Sequence, residues 1–258
     1  MGIFHSMALA LVVLAMGCAR PLPLPIPDVE ITRAPVVPED PFDPAWKTAS
    51  EHVAQLIPQD LVEPRQMQAT TAEVRVRTLA HGDEIGFRLE WTDPTRDDLN
   101  DPGRFSDACA VQVPARIEPT VPAPQMGEPD RAVEITFWSA NWQAQIDGRG
   151  DSIRDIYPNA TVDHYPFEAR SLVKDSPEQR AMAARYAPAR ALGNPVAGPR
   201  TTPVQDLIAQ GPGTLAPAPQ SRSRGRGVRT ANGWAVVLIR QLPAGLSAAN
   251  GSQVAFAV

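Results

Sequence analysis

Apolar and polar residues alternate most strictly between Glu73 and Trp91. Val74 and Val76 alternate with Arg75 and Arg77; beyond the turn His81-Gly82-Asp83-Glu84, Ile85, Phe87, Leu89 and Trp91 alternate with Gly86, Arg88 and Glu90. A period of two on both sides of a glycine turn predicts a β-hairpin. A second pair of strands brackets a proline-rich loop. Ala108, Ala110 and Val113 form an apolar run that Pro114 stops, and Val133, Ile135 and Phe137 alternate with Glu134 and Thr136. Between them, Pro119, Pro122 and Pro124 stiffen the approach to Gln125-Met126-Gly127. Farther on, Val204–Ile208 is a short apolar piece, Gly211-Pro212-Gly213 a turn, and Asn232-Gly233 leads into a strand with Trp234, Val236 and Leu238 that ends at Arg240. Gln253 to Val258 reads as one more strand. Helical signals are sparse. Ser176 is a good N-cap before Pro177 and Glu178, and Gly193-Asn194-Pro195 stops the helix that Pro188 interrupts. Residues 143 to 175 carry no lasting period and read as a long loop, functional or packed as a lid. These elements predict an all-β protein, an antiparallel β-sandwich with long loops and one or two accessory helices.

Length and composition agree with one core plus tails. The chain has 258 residues, 43% of them hydrophobic, with 28 prolines, which favours short elements and ordered loops over a helical bundle. Met7 to Met16 is an apolar run too short to span a bilayer and of signal-peptide length, so residues 1–19 read as a signal peptide and the protein as exported to a periplasm. Ala15-Met16-Gly17-Cys18 loosely resembles a lipoprotein box, making Cys18 a candidate for lipidation. Residues 20–44 carry proline at nearly every second or third position and read as a tether. The domain is expected over 45–258, with Trp46 packed against the sheet. The chain stops in mid-strand on apolar residues, which reads as a C-terminal truncation.

Charge removes one class of partner. A net charge of −5 leaves no positive field for nucleic acid. Arg222, Arg224, Arg226 and Arg229 lack interleaved aromatics and read as a solvated hairpin arm or a docking patch for an acidic partner. The acidic stretch Asp93, Asp97, Asp98 and Asp101 could hold calcium, but its spacing fails the EF-hand pattern and a solvated turn is the better reading. Cys109 reads as a small buried hydrophobe. The histidines have no metal spacing, and no nucleophile elbow, phosphate loop or dinucleotide fingerprint occurs. A binding domain is therefore better supported than an autonomous enzyme. Met126 is the residue with chemistry to spare. A thioether on a loop braced by proline and glycine is a packing residue first and a soft haem ligand second.

The order of several pieces changes that ranking. Phe105-Ser106-Asp107-Ala108-Cys109-Ala110-Val111-Gln112-Val113-Pro114, Gln125-Met126-Gly127, Gly193-Asn194-Pro195, Gly211-Pro212-Gly213-Thr214-Leu215, Gly225-Arg226-Gly227-Val228 and Gly233-Trp234-Ala235-Val236-Val237 follow one another. Their arrangement resembles the haem b-binding gamma subunits of periplasmic type II molybdoenzymes, the group of ethylbenzene dehydrogenase, dimethyl sulfide dehydrogenase, selenate reductase and chlorate reductase. The resemblance implies a β-sandwich holding one non-covalent haem b between a methionine and a lysine. It puts the methionine at Met126. It also implies a non-catalytic subunit that relays electrons between an iron–sulfur subunit, itself joined to a molybdopterin catalytic subunit, and a soluble c-type cytochrome. The lysine departs from the pattern: in the group it follows the strand matching Val254 to Val258, where this chain has ended. Lys47 and Lys174 are the lysines present, and neither stands at the matching place. A second reading is a carbohydrate- or ligand-binding β-sandwich using Trp138 and Trp142 as exposed platforms.

Overall fold

In the computed structural model, residues 28–258 are described except 101–102, 119, 151–152, 162–172, 174, 195–196, 198–199 and 248–250. The expected signal peptide, with Cys18, therefore lies outside the described residues, as does Lys174. The strands are β1 (Ile31–Arg33), β2 (His52–Gln55), β3 (Glu73–His81), β4 (Glu84–Thr92), β5 (Ala108–Pro114), β6 (Val133–Ser139), β7 (Val204–Ala209), β8 (Ala216–Pro217), β9 (Arg224–Arg229), β10 (Gly233–Gln241) and β11 (Ala255–Ala257). The helices are α1 (Ala140–Ile146), α2 (Ile153–Ile156), α3 (Pro177–Tyr186) and α4 (Pro188–Ala191). The predicted hairpin is β3–β4, with Gly82 at φ 57° as the first residue of its two-residue turn.

Two sheets form the sandwich. The first runs β1-β3-β4-β10-β9, with β2 also on β3; the second runs β11-β5-β6-β7-β8. All pairings are antiparallel except β1 with β3. Between the sheets lies an aromatic core in which Trp138 of β6 meets Trp91 and Trp234 edge-on at 6.3 and 5.1 Å. Phe87, Leu89, Val111, Val236 and Cys109 join it. Cys109 is fully buried, and that burial pushes its thiol far above the ordinary range, so it is the inert hydrophobe expected. Gly227 of β9 stands where Trp138 packs; a Cβ there would clash with the indole ring.

The prolines of the expected tether do not keep residues 28–44 off the domain. Ile31–Arg33 pairs with Thr78–Ala80, and Val37, Trp46 and Ala49 cover the outer face of the first sheet against Leu79, Val237 and Ile239. The packed chain thus begins before residue 45, because this sheet needs a cover on its outer side as well.

Polar groups also enter the sandwich. Arg240 is buried and bridges to Glu134 and to the hydroxyl of Thr136. Thr136 in turn donates to Asp206 (2.9 Å), which also accepts from the backbone of Arg222 and Ser223. Burial raises the Asp206 pKa, but these hydrogen bonds, with that of the Ser223 hydroxyl, outweigh it and hold the carboxyl below its usual range. A depressed carboxylate contributes stability that is full above the unfolded pKa, near 4, and is lost as pH falls through the folded value. Asp206→Asn should cost about 1–3 kcal/mol at pH 7 and flatten the loss of stability below about pH 4. Urea titrations at stepped pH read both effects, and an unchanged acid limb would refute the assignment.

Candidate functional site

The apolar face of β6 is turned out of the sandwich. Register places Phe137 beside Ala110 and Gln205, and Ile135 beside Gln112 and Leu207, all on the side away from Trp138 and Thr136. On this outer face lies a groove of about 220 Å³, floored by Ala110, Ile135, Phe137 and Leu207 and walled by Leu215, Ala255 and Met126. Among the described residues, Gln112 is the one polar side chain that lines it.

Met126 is held at one end by its own backbone. It sits at φ 65° and Gly127 at φ 75°, two successive residues in the left-handed region. For glycine this costs nothing, whereas for methionine it is strained by roughly 1–3 kcal/mol. Both backbone groups of Met126 are fixed in compensation. Its N–H donates to the Gln112 side-chain oxygen (3.1 Å), and its carbonyl accepts from the Gly211 N–H (2.8 Å). The Gly127 N–H donates to the Ala123 carbonyl (2.9 Å), and a Cβ on Gly127 would lie 2.7 Å from the Arg131 carbonyl oxygen. Gln125-Met126-Gly127 and Gly211-Pro212-Gly213, far apart in sequence, therefore form one structure. The Met126 side chain packs on Val133, Ile135 and Ala209 and borders the groove.

Past the end of β6, α1 packs on Phe137, which floors the groove. Trp142 meets Phe137 edge-on at 5.3 Å, and the Arg200 guanidinium lies 3.8 Å from the centre of the Trp142 ring. Gln143, on the same helix, accepts from Trp138 Nε1 (3.2 Å) and the Gly227 N–H (2.9 Å), so α1 is keyed to the core as well as to Phe137. Sequence reasoning treated 143 to 175 as irregular and missed α1. Seven residues with no side-chain cap at Ser139 leave little signal. The expected helix after Ser176 is present as α3 and α4, with the Ser176 hydroxyl accepting from the Gln179 N–H (3.1 Å).

Other candidates resolve plainly. Trp138 and Trp142 are both buried, so neither is an exposed platform. The acidic loop is neutralised by arginines: Asp97 by Arg104, and Asp98 by Arg96 and Arg149. Among the described residues no group of three or more His, Cys, Asp or Glu could hold a metal ion. Arg224, Arg226 and Arg229 of the arginine run stand on the edge strand β9, an arm of the β9–β10 hairpin, where Arg224 pairs with Glu84 and Glu39. Lys47 is exposed in the turn Pro44–Thr48, on the cover of the first sheet and across the sandwich from the groove. No helix among the described residues is long and apolar enough to cross a membrane.

The sequence profile of the family described as ethylbenzene dehydrogenase matches residues 43–258. The chain belongs to that family. The match takes in every strand of the sandwich except β1 and includes the Met126 loop, the Gly211 turn and both glycines of β9. A protein of Haloferax mediterranei named "Putative respiratory nitrate reductase heme subunit ORF7" is 29% identical over 132 residues, covering 51% of this chain and 47% of that relative. The chain thus matches about half the length of this relative.

Proposed function

We propose that the chain is a non-catalytic, haem b-binding subunit of a molybdenum-containing oxidoreductase, relaying electrons between an iron–sulfur subunit and a soluble c-type cytochrome in the periplasm. Family membership and the name of the Haloferax relative support the haem-subunit part of this reading. The compartment, the partners and non-covalent haem b are carried by the resemblance in sequence.

The observation that carries the proposal is Met126. Two hydrogen bonds from separate elements hold it in a strained conformation beside an apolar groove. Strain of this kind persists where surrounding structure over-determines it, and it clusters at ligand clamps. The residues present fit a flat apolar ring: Ile135, Phe137, Leu207 and Leu215 would pack against it, and Met126 would hold its iron through the thioether sulfur. Bound haem would supply one-electron chemistry at a potential raised by thioether ligation. The protein's part is to fix Met126, exclude water with apolar side chains and set the distance to the next centre.

Titration of the purified chain with haem should give a Soret band that saturates at one haem per chain. A protein that stays colourless with added haem would overturn the proposal.

A further inference from the structure

On the inner side of the second sheet, away from the groove, lies another cavity of about 370 Å³. Ile31, Thr78, Ile85 and Phe87 line it from the first sheet and Val113 from the second. Phe87 is braced edge-on by Phe256 at 6.0 Å. Thr78 faces this cavity. The two-residue period that aims Val74 and Val76 into the core carries Thr78 to the same side, and its register partners Ile31 and Phe87 line the cavity with it. Thr78 is fully buried, and its hydroxyl makes no hydrogen bond. A buried hydroxyl without a partner destabilises a fold, so its presence in a cavity wall asks for a use. Among the described residues, Asp28 is the one charged residue on the lining. An anion would meet repulsion there, and any ion would leave water for a largely apolar wall.

We infer that this cavity binds a neutral, mainly apolar molecule of about ten carbons bearing one oxygen, which Thr78 holds by a hydrogen bond. Size sets the first part. A cavity of about 150 Å³ takes a benzene ring, so this one admits two fused rings or a chain of similar bulk. Chemistry sets the second. A threonine hydroxyl donates to a carbonyl or accepts from a hydroxyl, so either oxygen would satisfy it. The inference stands apart from haem, because neither Met126 nor the floor of the groove lines this cavity.

Naphthol and methylnaphthalene, substituted at the same ring carbon, share one shape and differ by a hydroxyl against a methyl group. Calorimetric titration of the full chain should show saturable binding of naphthol at one molecule per chain. Thr78→Val keeps the shape of the side chain and removes its hydroxyl. It should lower the ratio of naphthol to methylnaphthalene affinity about three- to tenfold, the worth of one neutral hydrogen bond. Thr78→Ser should keep the ratio. Urea midpoints show that the variants fold, and Thr78→Val should be no less stable than the unaltered chain, since its hydroxyl has no bond to lose. Leu246 also lines the cavity, and Leu246→Trp, which fills it with an indole, should abolish binding of both probes. An unchanged ratio in Thr78→Val would overturn the role of Thr78 and leave its hydroxyl to a buried water. Absence of saturable naphthol binding, or binding that Leu246→Trp leaves intact, would overturn the site itself. If Thr78→Val does not fold, Leu246→Trp decides.

Discussion

Met126→Leu will leave the protein folded and remove most of its affinity for haem. Leucine nearly conserves the volume packed on Val133, Ile135 and Ala209, so the stability change should stay under about 1.5 kcal/mol. What the substitution deletes is the sulfur. Groups that merely orient a metal ligand are worth about 10–100-fold in affinity, so loss of the ligand itself should weaken haem binding by at least tenfold. The Soret band of whatever haem remains should move, and its potential should fall, since a thioether favours ferrous iron. Met126→Ala should show the same loss of haem plus a loss of packing. Gln112→Leu tests the clamp. It removes the acceptor of the Met126 N–H and should weaken haem binding by about tenfold with the sulfur still present. A packing-only role gives the opposite pattern, with Met126→Leu neutral in both stability and haem titration. That outcome would return Met126 to the gap-filler its sequence spacing first suggested.

The contrast between β4 and β6 shows what was legible in the sequence. In β4 the alternating face of Ile85, Phe87, Leu89 and Trp91 points into the core between the sheets, as alternation suggests. The face of Val133, Ile135 and Phe137 in β6 was equally legible, but a period of two names a face without saying which side of the sheet it is on. Here the apolar face points outward to the groove, while the inner face carries Glu134, Thr136 and Trp138. The polar members of that inner face are answered by Asp206 and Arg240, which come from strands about 70 and 105 residues later in the chain. No local pattern could announce such partners. The same holds for the Met126 loop. Its prolines and Gly127 marked a special turn, but the hydrogen bond from Gly211 that completes the clamp depends on β7 lying beside β6. Trp46 was legible as a packing residue, whereas the role of residues 28–44 was hidden by their prolines. Those residues cover an outer sheet face that only the tertiary fold creates.

The largest expected loss of stability is at Trp138. Its side chain is fully buried, meets two other tryptophans edge-on and donates its Nε1–H to Gln143. Trp138→Ala should cost about 3–5 kcal/mol, a large share of the 5–15 kcal/mol that holds a typical domain together. Gly227→Val attacks the same contact from the other side. A Cβ at Gly227 would run into the indole ring, and neither β9 nor the ring can yield easily. The ring is held by Gln143, and the Gly227 N–H donates to the same Gln143 oxygen. Overpacking there should cost about 3 kcal/mol. The decisive measurement is the double variant. If the glycine exists to admit the indole, the valine in Trp138→Ala/Gly227→Val enters the vacated space. The combined loss should then fall short of the sum of the single losses by about 1 kcal/mol or more. Urea midpoints of the four proteins give this coupling directly. Strict additivity would mean that Gly227 is required by the backbone of β9 rather than by the tryptophan it faces.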